Sequence, residues 1–119
     1  MSNETPIIQI RFTNDFQQQV SDLAKRYRKI RLDIQPIIEQ LQIGEMIGDQ
    51  VQGTGYTVFK VRIKNSNIQK GKSAGYRLIY HLESSSCILL LLIYSKSDKT
   101  DVTAAEIKDV IKAFYATES

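Results

Sequence analysis

Cysteine, histidine and tryptophan are almost absent from this chain of 119 residues, which has one Cys, one His and no Trp. A lone Cys87 rules out a disulfide scaffold and a CxxC redox pair, and with His81 it is too few for a Cys/His zinc site or a histidine pair in acid–base catalysis. The longest apolar run, Cys87 to Tyr94, has eight residues, well short of the ~20 that cross a bilayer. Since the N-terminus also lacks a basic-then-apolar signal pattern, we expect a cytoplasmic protein with no membrane partner.

The remaining composition is typical of a globular protein, with 42% hydrophobic and 24% charged residues. These values differ from those of disordered and fibrous chains. The length suits one core, so we expect a single domain over residues 1–119.

Positive charge is concentrated in the middle of the chain. Residues 1–59 contain 6 Lys and Arg and 7 Asp and Glu, which gives a net charge of −1. Residues 60–99 contain 8 basic and 2 acidic residues, which gives +6. Residues 100–119 contain 2 basic and 4 acidic residues, which gives −2. Six basic and no acidic side chains lie between Lys60 and Arg77. A merely solvated surface rarely needs such an imbalance, so an anionic partner is indicated.

The first third of the sequence predicts a strand and two helices. The strand covers Ile7 to Phe12, and a helix capped by Thr13 or Asn14 should run to about Ile30, because its apolar residues recur every three or four positions. They are Phe16, Val20, Leu23, Ala24, Tyr27 and Ile30. A second helix should follow, with Asp33 as its cap and Pro36 in its first turn.

A basic run lies where the first of these helices is predicted to end. It consists of Lys25, Arg26, Arg28, Lys29 and Arg31. We interpret it as a solvated helix face whose cations lie near the negative end of the helix dipole.

The rest of the chain predicts three strands and a last helix. Thr57–Lys64 and Tyr76–Leu82 alternate between apolar and polar positions, which favours an antiparallel pair, and the apolar run Cys87–Tyr94 is typical of a central strand. Thr103 and Glu106 match a capping box that begins the final helix. Together these elements predict an α+β fold.

Lys60 and Arg62 are two residues apart on a predicted strand, so their side chains should project from one face about 7 Å apart. If Arg77 on the paired strand shares that face, three cations converge. Such a cluster can bind phosphate and stabilise the pentacoordinate phosphate of a transesterification, with a lysine as general base on a ribose 2′-hydroxyl. This chemistry requires no metal or other cofactor.

A purely structural interpretation is open as well, because outward-facing Lys and Arg commonly protect sheet edges from aggregation. Lys70 and Lys72 can add phosphate contacts or simply lie in a solvated hairpin loop. Gly71-Lys72-Ser73 is not a phosphate-binding P-loop, since the earlier glycine is missing and no helix follows. His81 on a strand is more typical of a hydrogen-bonded structural residue than of a catalyst.

Two motifs resemble the RelE/ParE superfamily of toxins from type II toxin–antitoxin modules. They are Tyr56-Thr57-Val58-Phe59-Lys60-Val61-Arg62-Ile63 and Gly71-Lys72-Ser73-Ala74-Gly75-Tyr76-Arg77-Leu78-Ile79-Tyr80. The stretch from Ile93 to Thr103 is similar to the RelE and HigB-like branch, and the resemblance covers roughly residues 7–114. It implies a RelE-like microbial ribonuclease-type fold: a small antiparallel sheet with two N-terminal helices on one face, a basic surface on the other, and a C-terminal helix.

The resemblance also implies roles for individual residues. Lys60 and Arg62 match a general base and a transition-state stabiliser, and Arg77 matches the arginine that binds the scissile phosphate. Ser97 and Thr103 stand where the best-studied members have an arginine and a tyrosine. Further RNA contacts are expected from the lysines around this site: Lys64, Lys70, Lys72, Lys96 and Lys99.

The function implied by the resemblance is that of a ribosome-dependent mRNA interferase, an endoribonuclease toxin. Its partners would be the ribosome, mRNA and a cognate antitoxin that forms a hetero-oligomer with it. Two alternatives stay open: a ParE-like toxin that inhibits DNA gyrase, and an inactive relative that only binds an antitoxin.

Overall fold

The computed structural model describes residues 7–68, 74–99 and 101–118, which form five strands and three helices. In chain order these are β1 (Gln9–Phe12), α1 (Asn14–Ala24), α2 (Ile30–Gln42), β2 (Asp49–Gln50), β3 (Val58–Ile63), β4 (Tyr76–Ser84), β5 (Cys87–Ser95) and α3 (Ala104–Glu118). The predicted α+β class is therefore confirmed.

The five strands form one sheet in the order β1-β5-β4-β3-β2. Strands β2 to β5 pair antiparallel with their neighbours, whereas β1 pairs parallel with β5. The predicted antiparallel pairing of β3 and β4 is confirmed, and the apolar strand β5 lies inside the sheet between β1 and β4. Helices cover both of its faces, which is why every position from Ile88 to Tyr94 is buried.

Because successive side chains of a strand point to opposite faces of the sheet, the interior consists of two hydrophobic cores. One face of the sheet packs against α1 and α2 through side chains such as Val61, Leu78 and Leu90. The other face packs against α3, where Ile107 and Ile111 meet Ile79. The predicted pair of N-terminal helices on one face is thus confirmed, and α3 lies on the face that carries the even-numbered, cationic positions of β3.

The predicted end of the first helix is wrong: α1 stops at Ala24, and Ile30 is the first residue of α2. Between them the backbone tightens, because the N–H groups of Lys25 and Arg26 donate to the carbonyls three residues earlier. The Tyr27 ring packs edge-on against Tyr76, with 5.9 Å between centroids. The spacing of apolar residues in the sequence does not reveal this break between the helices. Tyr27 and Ile30 face inward here, just as they would in one continuous helix.

The predicted start of the second helix is also wrong. Asp33 lies inside α2, where its carboxylate accepts a hydrogen bond from the Ser66 N–H at 3.0 Å. Pro36 is in the second turn and leaves the Leu32 carbonyl without its helical donor. Leu32 is 71% exposed, so water can hydrogen-bond that carbonyl and the helix continues.

Gly75 allows β3 and β4 to pair closely at the start of the Gly-Tyr-Arg motif. A Cβ atom at this position would lie 2.1 Å from the Ile63 carbonyl oxygen and 3.0 Å from the Asn65 nitrogen. Only glycine fits without a backbone shift, so Gly75 maintains the register that follows it.

The capping box of α3 is confirmed. Thr103 Oγ1 accepts from the Glu106 N–H, and Glu106 Oε1 accepts from the Thr103 N–H, both at 3.1 Å. Val102 before the cap and Ile107 after it are both buried in the hydrophobic core between α3 and the sheet. No helix within the described stretches has the length and apolar character needed to span a bilayer.

Candidate functional site

A row of three polar side chains crosses the α3 face of the sheet near one end. Arg62 of β3 is directly opposite Arg77 of β4, and Arg77 is directly opposite Tyr94 of β5. Lys60 lies two residues before Arg62 on β3, on the same face of the sheet, and is opposite Ile79. The pairing register therefore brings together the three predicted cations, Lys60, Arg62 and Arg77, and adds a phenol to them.

The two arginines of the row differ in exposure. Arg62 is exposed, whereas Arg77 is only 6% exposed and donates from a guanidinium nitrogen to the Tyr76 carbonyl at 3.2 Å. Burial, and then repulsion from Arg62, lower the pKa of Arg77 below its ordinary value. Tyr94 and Asp101 act in the opposite direction. Near neutral pH the Asp101 carboxylate carries the negative charge that favours the charged form of the guanidinium.

Asp101 connects this site to the segment that precedes α3. Its Oδ1 contacts Lys60 Nζ at 3.0 Å and accepts a hydrogen bond from the Val102 N–H at 2.8 Å. The Tyr94 hydroxyl lies 3.4 Å from the same oxygen. The Lys60 and Val102 hydrogen bonds lower the pKa of Asp101. A carboxylate thus lies among the cations of the candidate site.

Burial and the nearby Asp101 carboxylate raise the pKa of Tyr94 to about 12. The phenol is therefore protonated near neutral pH and can donate a hydrogen bond, but it is not a ready base. Its hydroxyl points toward the same carboxylate that Lys60 binds.

The structure places the expected RNA-contacting lysines differently. Lys64 is exposed just beyond β3, and Lys96 follows β5 with its backbone N–H bonded to the Gly75 carbonyl at 2.9 Å. Lys99 instead forms an ion pair of 3.2 Å with Glu106 on α3. The two predicted loop contacts, Lys70 and Lys72, lie outside the described residues.

Ser97 and Thr103 do not supply the groups that the resemblance would place there. Ser97 Oγ is 2.8 Å from Ser95 Oγ, within a local turn. Thr103 uses both its backbone N–H and its hydroxyl in the capping box with Glu106. The phenol that the row does contain, Tyr94, comes from the apolar strand β5.

Sequence reasoning missed Tyr94 and Asp101 as site residues. Tyr94 ends an unbroken apolar run, so its pattern indicated a core residue. Asp101 looked like one of several acidic residues in the tail. The one available signal concerns Asp101, which stands two residues before the capping residue Thr103 in the sequence.

A second polar cluster links the C-terminal end of α3 to the sheet. Glu83 accepts hydrogen bonds from the Tyr115 hydroxyl and, at 3.1 Å, from Cys87 Sγ. Arg11 lies 3.5 Å from Glu83 and also pairs with Glu118. Burial acts to raise the pKa of Glu83, but the hydrogen bonds from Tyr115 and Cys87 and the charge of Arg11 outweigh it and lower that pKa.

His81 lies between this cluster and the candidate site. It is 7% exposed, its Nδ1 is 2.9 Å from the Thr57 carbonyl oxygen, and its ring meets Tyr56 and Tyr115 edge-on. These contacts are those of a packed, hydrogen-bonded residue. Across residues 7–68, 74–99 and 101–118, no group of three or more His, Cys, Asp or Glu side chains is arranged to hold a metal ion.

Comparison with known proteins supports the fold. No family model matches the sequence. A double arginine-to-alanine variant of the E. coli toxin RelE in the free state is structurally similar, with a TM-score of 0.53 and 12% identity over 93% of this chain and 97% of that one. The architecture is therefore RelE-like. TrmO from Pseudomonas aeruginosa gives a TM-score of 0.46 at 15% identity, and the match covers 79% of this chain but only 38% of the TrmO chain.

Proposed function

We propose that this protein is a ribosome-dependent mRNA interferase toxin, held inactive by a cognate antitoxin. The observation that carries the proposal is the row Arg62–Arg77–Tyr94 with Lys60 beside it. Cations at this density suit a phosphodiester better than a neutral ligand, because each guanidinium can form paired hydrogen bonds with phosphate oxygens.

In the proposed reaction an RNA phosphate replaces the Asp101 carboxylate among the cations. Lys60 Nζ, once released from Asp101 and deprotonated, takes the proton of the ribose 2′-hydroxyl. The 2′-oxygen then forms a bond to phosphorus while the bond to the 5′-oxygen breaks. The departing 5′-oxygen takes a proton from water, so the products are a 2′,3′-cyclic phosphate and a 5′-hydroxyl. Arg62 and Arg77 stabilise the additional negative charge of the pentacoordinate phosphate.

Tyr94 would assist as a hydrogen-bond donor. Because its pKa is raised to about 12, the phenol keeps its proton near neutral pH and can bond a phosphate oxygen or the departing 5′-oxygen. Lys64 lies just after β3 and Lys96 just after β5, two residues beyond Arg62 and Tyr94, and both are suited to contacts with neighbouring phosphates.

The test is controlled expression in bacteria without an antitoxin. The wild type should arrest growth and cut mRNA on ribosomes, as mapped by primer extension. Arg77→Ala and Lys60→Ala should abolish both effects, while Lys108→Ala, an exposed lysine of α3, should behave like the wild type. Full toxicity of both site variants would overturn the assignment.

The alternatives have distinct outcomes in the same experiment. Growth arrest with DNA-damage signalling and intact mRNA would identify a gyrase inhibitor. Absence of toxicity in the wild type would identify an inactive relative whose role is to bind an antitoxin.

A further inference from the structure

Five basic side chains lie in or beside the turn between α1 and α2, and all five are exposed. They are Lys25, Arg26, Arg28, Lys29 and Arg31, and we call them the basic turn. The functional site described above does not use any of them.

Among the described residues, two members of the basic turn have an acidic partner nearby. Lys25 lies 3.8 Å from Asp22, and Arg26 pairs with Asp98. Within the parts of the chain that the structure describes, no carboxylate lies within 4.0 Å of Arg28, Lys29 or Arg31. These three charges have no ion pair inside the described fold that would explain their presence.

The helix dipole does not explain them either. The sequence-based interpretation placed the whole run at the C-terminal, negative end of the first helix. Because α1 ends at Ala24 and α2 begins at Ile30, Arg28, Lys29 and Arg31 surround the N-terminus of α2. This is the positive end of a helix of 13 residues, where cations are destabilising and an anion is favoured.

The basic turn lies at the same end of the sheet as the row of Arg62, Arg77 and Tyr94, but beside the opposite face. Its Tyr27 packs on Tyr76, the neighbour of Arg77. The Lys29 N–H donates to Asn67 Oδ1 at 3.0 Å, and Arg26 reaches Asp98 beyond β5. Cationic side chains thus continue around this end of the sheet.

The basic turn has exposed cations but no aromatic ring beside them that is free to stack on a base. Its one aromatic residue, Tyr27, has the Arg26 guanidinium over one face, 4.9 Å from the ring centroid, and packs on Tyr76. Proteins that bind single strands without sequence preference stack bases on aromatic rings, and no ring of the turn is available for this. Exposed cations alone suit a phosphate backbone whose bases are already paired.

We infer that the basic turn binds the phosphate backbone of double-helical RNA, independently of its sequence, as a surface separate from the candidate cleavage site. The choice of RNA rests on the proposed function, whereas the binding itself needs no cleavage. On a ribosome, such a contact would hold the protein on a folded RNA helix while the row faces a single strand.

The test uses a fluorescent 2′-O-methyl RNA duplex of about 20 base pairs, which cannot undergo transesterification. Anisotropy titrations at several salt concentrations compare the wild type with Arg28→Gln/Lys29→Gln. If each cation neutralises one phosphate, the slope of log K against log salt should shrink by about 1.8 and the affinity should fall at least about threefold. The matched control is Lys108→Gln/Lys112→Gln, which removes the same charge from exposed positions of α3.

Equal slopes and affinities for the turn and control variants would overturn the inference. The same titrations with a polyglutamate peptide test for an acidic protein partner. A turn variant that still binds the duplex like the wild type but no longer binds polyglutamate would also overturn the inference, because it would identify an acidic protein partner instead. Circular dichroism of both variants confirms that they are folded. A wild type that binds the duplex through the turn but never cuts mRNA would refute the proposed function and leave this inference standing.

Discussion

Arg62 and Arg77 are cross-strand partners on the same face of the sheet, so the fold holds two guanidinium groups side by side. Like charges directly opposite each other destabilise a sheet. The repulsion also contributes, after burial, to the lowered pKa of Arg77. A pair that costs stability without an evident structural gain is typical of a binding or catalytic site.

Replacing one of these arginines should stabilise the protein while impairing its function. Arg62→Gln should raise the free energy of unfolding by about 0.2–1 kcal/mol, because it removes the repulsion with Arg77. It should also reduce RNA cleavage. Urea unfolding measures the first effect, with Lys108→Gln as a control that has no cross-strand cation. A lower unfolding midpoint for Arg62→Gln would contradict this account of the pair.

Asp101→Asn should strengthen RNA binding at the candidate site. The neutral amide competes less well than the carboxylate for Lys60, so a phosphate can replace it more readily. Titration of a single-stranded 2′-O-methyl RNA should show a lower Kd for the variant. Unchanged affinity would show that the carboxylate does not occupy the phosphate position.

The same variant should show a defined pH dependence of stability. The pKa of Asp101 is lowered from 3.8 in the folded state, so its charge stabilises the fold above that value, and the contribution disappears as the pH falls through the lower folded pKa. The side chain is 63% exposed, so solvent limits the effect to no more than about 1 kcal/mol. Melting temperatures of wild type and Asp101→Asn should therefore differ at pH 7 and converge in acid.

Removing the hydroxyl of Tyr115 should loosen the C-terminal end of α3. Tyr115→Phe leaves Glu83 without one hydrogen bond in a largely buried place, where a bond to a charged group is worth about 1.5–3 kcal/mol. Chemical unfolding measures the loss, and amide exchange should localise it to α3. Tyr27→Phe is the matched control, because the Tyr27 hydroxyl makes no hydrogen bond among the described residues. Equal stabilities of the two variants would exclude the proposed role of this bond.

Gly75→Ala should damage both fold and site. Its Cβ would lie 2.1 Å from the Ile63 carbonyl oxygen, and a clash with backbone should cost about 3 kcal/mol or more. A forced shift of β4 against β3 would also separate Arg77 from Arg62, so activity should fall in the fraction that folds. Gly55→Ala, where a Cβ meets no atom within 4 Å but φ is +80°, should cost only about 1–2 kcal/mol.

Local patterns in the sequence were sufficient for most of the secondary structure. The alternation of β3 and β4 separates core from cationic positions, the apolar run indicates the buried strand β5, and Thr103 with Glu106 predicts the start of α3. The helix boundary near Ala24 could not be predicted, because Tyr27 and Ile30 fit a helical stripe although contacts with distant residues interrupt the helix between them. The same error assigned Arg28, Lys29 and Arg31 to the wrong helix end.

The sequence by itself determined that Lys60, Arg62 and Arg77 are available on strands, since period-two alternation is a local property of the backbone. Only the tertiary structure decided which side chains meet. Cross-strand register places Arg62 beside Arg77 and brings Tyr94 next to them, and the approach of α3 brings Asp101 to Lys60. Register and helix docking depend on packing between segments that are far apart in the chain, and no local pattern contains that information.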